Sequence, residues 1–323
     1  MISKTRPSTR VAAALAAAVA AVSVAGCGGP VEAKPWSGSD QRLAEVAATS
    51  DAAAAAEAGW VTAPWTGKIS MNNSDTRDQF SSTPMPGVVI MQWAEGQPAG
   101  GNRCTLGTAV QTDTGPGFLT AGHCDETADA PLWLFPTADV SGVDAVKLPK
   151  PYTGAVDSDG KVDPKLNAAV DAALVPLNPG QLGEVSTELA QRYHVAGVLT
   201  ADAAKRLPKD TPICFDGAVS GLQCGTVSNA NSGGKLLMGG DSTEARPFTK
   251  HGDSGAPVFV LDRQGRAVLV GLLSKGAEGP IGWVTYLESN LIATGTKALL
   301  DPDVIPYSGD DYSKLTATAP LNR

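Results

Sequence analysis

The sequence predicts an all-β protein, a barrel or sandwich of short strands, and three observations carry that reading. Gly and Pro are plentiful, 36 and 23 of 323 residues, which favours a turn-rich fold over a helical bundle. Short apolar runs recur from about Gly87 onward, each punctuated by Gly, Pro, Asp or Thr. The one late segment of helical character is residues 286–300.

In chain order, the strand-like runs are residues 88–93, 107–112, 118–121, 168–177, 195–200, 225–228, 256–261 and 267–273. Asp262-Arg-Gln-Gly265 separates the last two as a hairpin turn signal. Residues 301–323 are polar and Pro-containing and read as a loose tail. With 42% of residues in the hydrophobic set, the chain can build a sizeable core in one large β domain or two small ones. Charged residues are only 18%, and a formal net charge of -8 argues against nucleic acid as a partner.

The N-terminus reads as a targeting segment. Lys4, Arg6 and Arg10 form a positive region ahead of an Ala/Val-rich stretch, residues 11–24, that is too short to span a bilayer. It ends in Val24-Ala25-Gly26-Cys27, which resembles the lipobox of bacterial lipoproteins, whose Cys becomes the lipidated first residue of the mature chain. That resemblance implies a signal peptide over 1–26, lipidation of Cys27 and attachment to the outer face of the cytoplasmic membrane. Residues 27–84 then form an Ala-rich tether or a short propeptide ahead of a domain over 85–300.

Cysteine usage agrees with export. Five cysteines are an odd number, and setting Cys27 aside leaves Cys104, Cys124, Cys214 and Cys224. Four cysteines allow three pairings; the sequential one closes two short loops, each contributing about 2–3 kcal/mol through the unfolded state. No CxxC pair occurs, and His123, His194 and His251 lie far apart in sequence, although folding could gather them; no metal or cofactor is expected.

Three short motifs carry chemistry. Thr120-Ala-Gly-His123-Cys124 places a His beside a half-cystine, on backbone that suits a general base held still. Gly252-Asp-Ser254-Gly-Ala-Pro257 places a Ser between glycines, which permits the sharp turn that exposes a nucleophile and aims backbone N–H groups at an oxyanion. Asp171 stands alone in the apolar run 168–177, and a buried carboxylate needs a partner. The His, Asp, Ser order is that of chymotrypsin.

On these residues the chain resembles the trypsin/chymotrypsin-like serine peptidases, and more closely their bacterial α-lytic protease and streptogrisin branch, over roughly residues 85–300. The resemblance implies a double six-stranded β-barrel with a C-terminal helix and disulfides Cys104–Cys124 and Cys214–Cys224. It implies a catalytic triad of His123, Asp171 and Ser254, with the N–H groups of Gly252 and Ser254 as the oxyanion hole. Ser274 would hold Asp171 and flank the substrate-binding strand. Phe248, Thr249 and His251 would line the specificity pocket, and Phe248, where trypsin-like members carry an Asp, disfavours cleavage after basic residues. Asp253 would need an internal partner, because a lipidated N-terminus cannot reach it. The function implied is a monomeric endopeptidase acting on polypeptides outside the membrane. The competing expectation is a catalytically silent binding protein on the same scaffold. An α/β-hydrolase esterase would need Gly-x-Ser-x-Gly and the order Ser, Asp, His, and neither is present.

Overall fold

In the computed structural model, the described residues are 59–67, 79–92, 103–137, 144–178, 185–242, 247–276 and 280–320. Strand β1 (Val89–Gln92) pairs antiparallel with β2 (Arg103–Thr105). Strands β3 (Ala109–Thr112) and β4 (Gly115–Thr120) lead into a single 3-10 turn, Gly122–Cys124. Then come β5 (Leu132–Leu134), β6 (Val146–Lys147), β7 (Thr153–Asp157) and β8 (Asp171–Pro176). This N-terminal half is two sheets, one ordered β2-β1-β5-β6 and the other containing β3-β4-β8-β7. Alternate residues of both sheets bury Ile90, Phe118, Leu132, Leu134, Ala173 and Val175 in one cluster, the period-two signature of a sheet with one face inward.

The C-terminal half begins with β9 (Glu188–Leu189), β10 (Tyr193–Val198) and a short helix, α1 (Ala201–Lys205). It continues through β11 (Pro212–Gly217), β12 (Gly221–Ser232), β13 (Lys235–Gly239), β14 (Pro257–Leu261), β15 (Arg266–Gly276) and β16 (Ile281–Tyr286). The order β14-β11-β12-β13-β16-β15, with β15 returning to β14, closes a six-stranded barrel. Closure leaves no unpaired edge and fills the interior with Phe215, Val258, Val260, Val270, Leu273 and Tyr286. The fold is therefore all-β with a closed six-stranded barrel, as the sequence predicts, while the N-terminal half is a pair of sheets where a second closed barrel is expected. The Asp262–Gly265 hairpin is also present: Asp262 Oδ1 accepts from the N–H groups of Gln264 and Arg266, and Gly265 takes φ 81°.

Two expectations at the C-terminus need correction. Helical character over 286–300 is realised only in α2 (Leu287–Thr294), which stops at Gly295 in the left-handed region, φ 64°. Beyond it, Lys297–Leu300 is strand β17, paired with β3, because Ala298, Leu299 and Leu300 are drawn into the core. The loose tail is not loose over 301–320. Strand β18 (Thr316–Thr318) pairs parallel with β17, Tyr307 and Tyr312 stack with centroids 5.0 Å apart, and Ser313 N donates to Val198 O at 2.8 Å. With β17 and β18 the second N-terminal sheet reads β18-β17-β3-β4-β8-β7.

The chain before residue 85 also reaches the fold. Val61 N donates to Leu261 O at 2.9 Å, Gly67 and Leu222 exchange two backbone bonds, and Trp60 packs on Tyr307. Gln79, Phe80 and Ser81 are buried. The signal segment 1–26, Cys27 and the tether up to residue 58 lie outside the described residues.

Candidate active site

His123 sits in the 3-10 turn that follows β4, where two constraints fix its backbone. Cys124 is bonded to Cys104 in β2, and Gly122 packs so closely on β7 and β8 that an added Cβ would lie 3.0 Å from Ala172 N. Gln92, at the end of β1, grips the following turn: its amide nitrogen donates to Asp125 Oδ1 and Thr127 O, and its oxygen accepts from the N–H groups of Glu126 and Thr127.

Asp171 opens β8 and is 2% exposed. His123 Nδ1 lies 2.9 Å from its Oδ2, the N–H of His123 donates to its Oδ1 at 3.0 Å, and Ser274 Oγ donates to Oδ2 at 2.6 Å. Asn290, on α2, accepts from the Asp171 N–H at 3.2 Å and donates to Thr285 Oγ1, so the helix fixes the strand end that presents the carboxylate. Burial of Asp171 pushes its carboxyl up, but the His123 hydrogen bond and charge, together with the Ser274 hydroxyl, outweigh it and hold the carboxyl below its ordinary value. Burial pulls His123 down, but the hydrogen bond to and charge of Asp171, helped by Asp157 and Glu126, leave it above 6.5.

The Ser254 turn approaches from the closed barrel of the C-terminal half. Thr105, next to Cys104, donates its N–H to Ser254 O at 2.7 Å and its hydroxyl to Gly252 O at 2.8 Å. The strand whose disulfide fixes the His123 turn thus also holds both flanks of Asp253. Gly255 N donates to Leu273 O at 2.7 Å, and an added Cβ there would lie 2.6 Å from Thr105 O and 2.9 Å from Ala121 N. With φ 89° and no room for a side chain, only Gly serves at position 255, and its contacts put Ser254 against the segment that carries His123. Gly252 has φ 98° and a Cβ direction 2.6 Å from Val219 Cγ2. Among the described residues, the N–H groups of Asp253, Gly255 and Ala256 find acceptors, whereas those of Gly252 and Ser254, and Ser254 Oγ, make no hydrogen bond.

Asp253 is fully buried and held from within the chain, as the sequence requires. Its Oδ1 accepts from the N–H groups of Val219 and Ser220, and its Oδ2 from Ser220 Oγ at 2.6 Å and Lys250 N at 2.8 Å. Burial still pushes this carboxyl up, against the Ser220, Lys250 and Val219 hydrogen bonds. Nearby Asp216, also fully buried, is pushed up to about 6 by burial and by the Asp253 charge, although Gln79 and Ala190 N donate to it.

The residues expected to line a specificity pocket divide. Phe248 is 3% exposed and lies in the barrel core, edge-on to Phe215 with centroids 5.3 Å apart, in a slot that Gly225 and Gly240 leave open. Thr249 is buried against β16, its hydroxyl 3.3 Å from Ile281 O, and His251 is exposed. The second disulfide joins Cys214 and Cys224, cross-strand neighbours in β11 and β12, so both expected pairings are present. A cavity of about 360 Å³, lined by Gly160, Ser232, Gly233, Lys235 and Trp283, opens where Trp283 pairs with Lys275 of β15. Sequence reading missed Gln92, Thr105, Ser220 and Asn290; the one signal available was a polar residue inside or beside an apolar run.

No family model and no curated protein matches the sequence. Solved structures that resemble this one include a Nocardiopsis protease (18% identity, 67% of this chain and 98% of that chain, TM-score 0.40). Others are a glutamic acid-specific serine protease described as using a histidine triad in substrate binding (16%, 66% and 99%, 0.43) and Cellulomonas bogoriensis chymotrypsin (21%, 67% and 98%, 0.42). The chain itself is mostly strand, with one closed six-stranded barrel, companion sheets and little helix.

Proposed function

We propose that this chain is an extracytoplasmic serine endopeptidase that hydrolyses polypeptides through an acyl-enzyme. The observation that carries the proposal is the chain of hydrogen bonds from Ser274 through Asp171 to His123 Nδ1, with the Ser254 turn held against it by Thr105 and Gly255. In this reading Asp171 fixes the His123 tautomer with Nδ1 protonated and stabilises its positive charge, leaving Nε2 to take the proton of Ser254 Oγ. Ser254 attacks the scissile carbonyl, and the acceptor-free amides of Gly252 and Ser254 bind the oxyanion, a donor whose loss costs about 3 kcal/mol of transition-state stabilisation. His123 then returns its proton to the leaving amine, and water, activated by the same imidazole, releases the acyl group.

An extended substrate would pair with the edge beside Ser274 by strand addition, with one of its side chains entering the cavity beside Trp283 and Lys235. The two disulfides favour an oxidising compartment, and the Cys27 lipobox would anchor the chain to the outer face of the cytoplasmic membrane.

The test is labelling of the folded, disulfide-intact protein with a fluorophosphonate probe, alongside Ser254→Ala. Labelling lost in the variant supports a competent nucleophile and oxyanion hole. A folded protein that never labels, before or after removal of residues 27–58, would make it the silent scaffold.

A further inference from the structure

Outside the catalytic residues, the fold gathers a second chemically coherent cluster that the sequence spacing concealed. His194 on β10 stands directly across from Glu188 on β9, so the two side chains share one face of the hairpin. Asp301, the residue after β17, is brought to the same face by its own N–H, which donates to Val195 O at 2.9 Å. His194 Nδ1 lies 2.9 Å from Asp301 Oδ2 and 3.8 Å from Glu188 Oε1, and all three donor atoms fall within 4.8 Å of one another.

We propose that His194, Glu188 and Asp301 form a divalent metal site of the zinc class. Four ligands about 2.0–2.1 Å from a zinc ion stand roughly 3.3 Å apart at the corners of a tetrahedron. The two edges that His194 Nδ1 makes, 2.9 and 3.8 Å, bracket that spacing, and the edge between the two carboxylates is within 4.8 Å, a gap that the exposed Glu188 can close. Asp301 is the rigid member: it is 7% exposed, its Oδ1 accepts from Asp303 N, and its Oδ2 also takes a bond from Thr187 Oγ1 at 3.3 Å. That hydroxyl is the outer partner that orients a ligating carboxylate. Glu188 is the adjustable member, with 44% of its side chain exposed. Among the described residues, the two carboxylates have no Lys or Arg partner within ion-pair distance, so a dication would neutralise them both.

One imidazole and two carboxylates suit Zn²⁺ better than Ca²⁺, which takes oxygen donors, and leave the fourth position to water. On binding, the metal replaces whatever proton the Nδ1 to carboxylate contact carries, and that proton leaves to solvent. The structural consequence is a clip. Strand β17 belongs to the sheet that holds β4 and β8, whereas β10 belongs to the sheet that contains β14 and β15. A metal bridging Asp301 to the β9–β10 hairpin would fasten the two halves that carry His123 and Asp171 on one side and Ser254 on the other.

The full-length protein is treated with chelator and titrated calorimetrically with Zn²⁺ alone, with thermal unfolding followed in parallel. The expected result is one high-affinity site and a midpoint that rises with metal concentration. Glu188→Gln and His194→Ala, both at partly exposed positions and so tolerant of substitution, should weaken it by more than the roughly 10–100-fold that follows loss of an outer partner. With Co²⁺ in place of zinc, the visible absorption of a tetrahedral N/O site should appear in the wild type and vanish in His194→Ala. Absence of Zn²⁺ uptake, uptake equal in the wild type and both variants, or preference for Ca²⁺ would each overturn the assignment. These readouts are independent of peptidase activity.

Discussion

Asp171 and Asp253 approach the candidate site from opposite halves of the molecule, both almost wholly buried and both well supplied with donors, yet their carboxyls move in opposite directions. Asp171 accepts from His123 Nδ1, His123 N and Ser274 Oγ and is held below its ordinary value. Asp253 accepts four hydrogen bonds, from Val219 N, Ser220 N, Ser220 Oγ and Lys250 N, and is pushed up. The difference is charge. Asp171 has a partner that can become a cation, whereas Asp253 has neutral donors only and its field reaches a second buried carboxylate, Asp216. Hydrogen bonds by themselves do not offset the burial of a carboxylate here; a titratable counter-ion does. In the proposed mechanism one side of the site changes charge, while the other holds a turn.

The comparison breaks most sharply at Asp171. Asp171→Asn should leave the fold in place and lower kcat on the order of ten-thousandfold, the template figure for an enzyme of this kind, because the amide presents the wrong partner to His123 Nδ1. A variant within a few-fold of wild type by single-turnover kinetics would remove Asp171 from the mechanism. On the other side, Ser220→Ala withdraws the shortest bond to Asp253 and leaves Oδ2 with Lys250 N alone. The expected cost is about 1–3 kcal/mol of stability, measured by denaturant unfolding, with slower probe labelling at Ser254 as the turn loosens. If stability stays unchanged, Asp253 is supported by its backbone donors without the hydroxyl.

What was legible in the sequence was local. His123 beside Cys124, Ser254 between glycines and Asp171 alone in an apolar run each announce their constraint within a few residues, and the strands announce themselves by apolar runs bounded by Gly and Asp. What was hidden depends on contacts across the fold. Phe248 stands six residues before Ser254, and nothing in that spacing says that its ring turns inward onto Phe215. Asn290 fixes Asp171 across 119 positions, so helical composition gave no hint that α2 reaches the site. Residues 297–300 are good helix formers, but pairing with β3 and burial of Leu299 and Leu300 decide the strand, an override of propensity by packing. The polar segment after residue 301 is anchored by Tyr307 and Tyr312, two aromatics that a reading by average composition overlooks.

The charge asymmetry also sets how the site responds to pH. His123 must be neutral to accept a proton, and its folded value lies above 6.5, so kcat/KM should rise with pH through a midpoint above 6.5. Asp157, which pairs with Asp171 across β7 and β8, is one of the charges that raise it. Asp157→Asn should therefore move the rising limb to lower pH without altering the plateau, and an unmoved limb would leave Asp171 and Glu126 as the charges that matter. For stability the sign is the opposite: the contribution of charged His123 is complete below its unfolded value and is lost as pH rises through the folded one.

The smallest effect expected belongs to Asp216. Its folded value of about 6 exceeds the ordinary 3.8, so between those limits the native state binds more protons than the unfolded chain and stability falls as pH rises. Asp216→Asn removes that proton uptake. Its unfolding midpoint should be flatter with pH across this window than that of the wild type, while both remain sensitive below it as Asp171 protonates. Asp253, which is also pushed up, keeps part of the slope in the variant, so the flattening should be partial. Complete flattening would mean that Asp253 carries none of the uptake and titrates as an ordinary carboxylate. An unchanged slope would put the uptake on Asp253 and leave Asp216 ionised, held by Gln79 and Ala190 N.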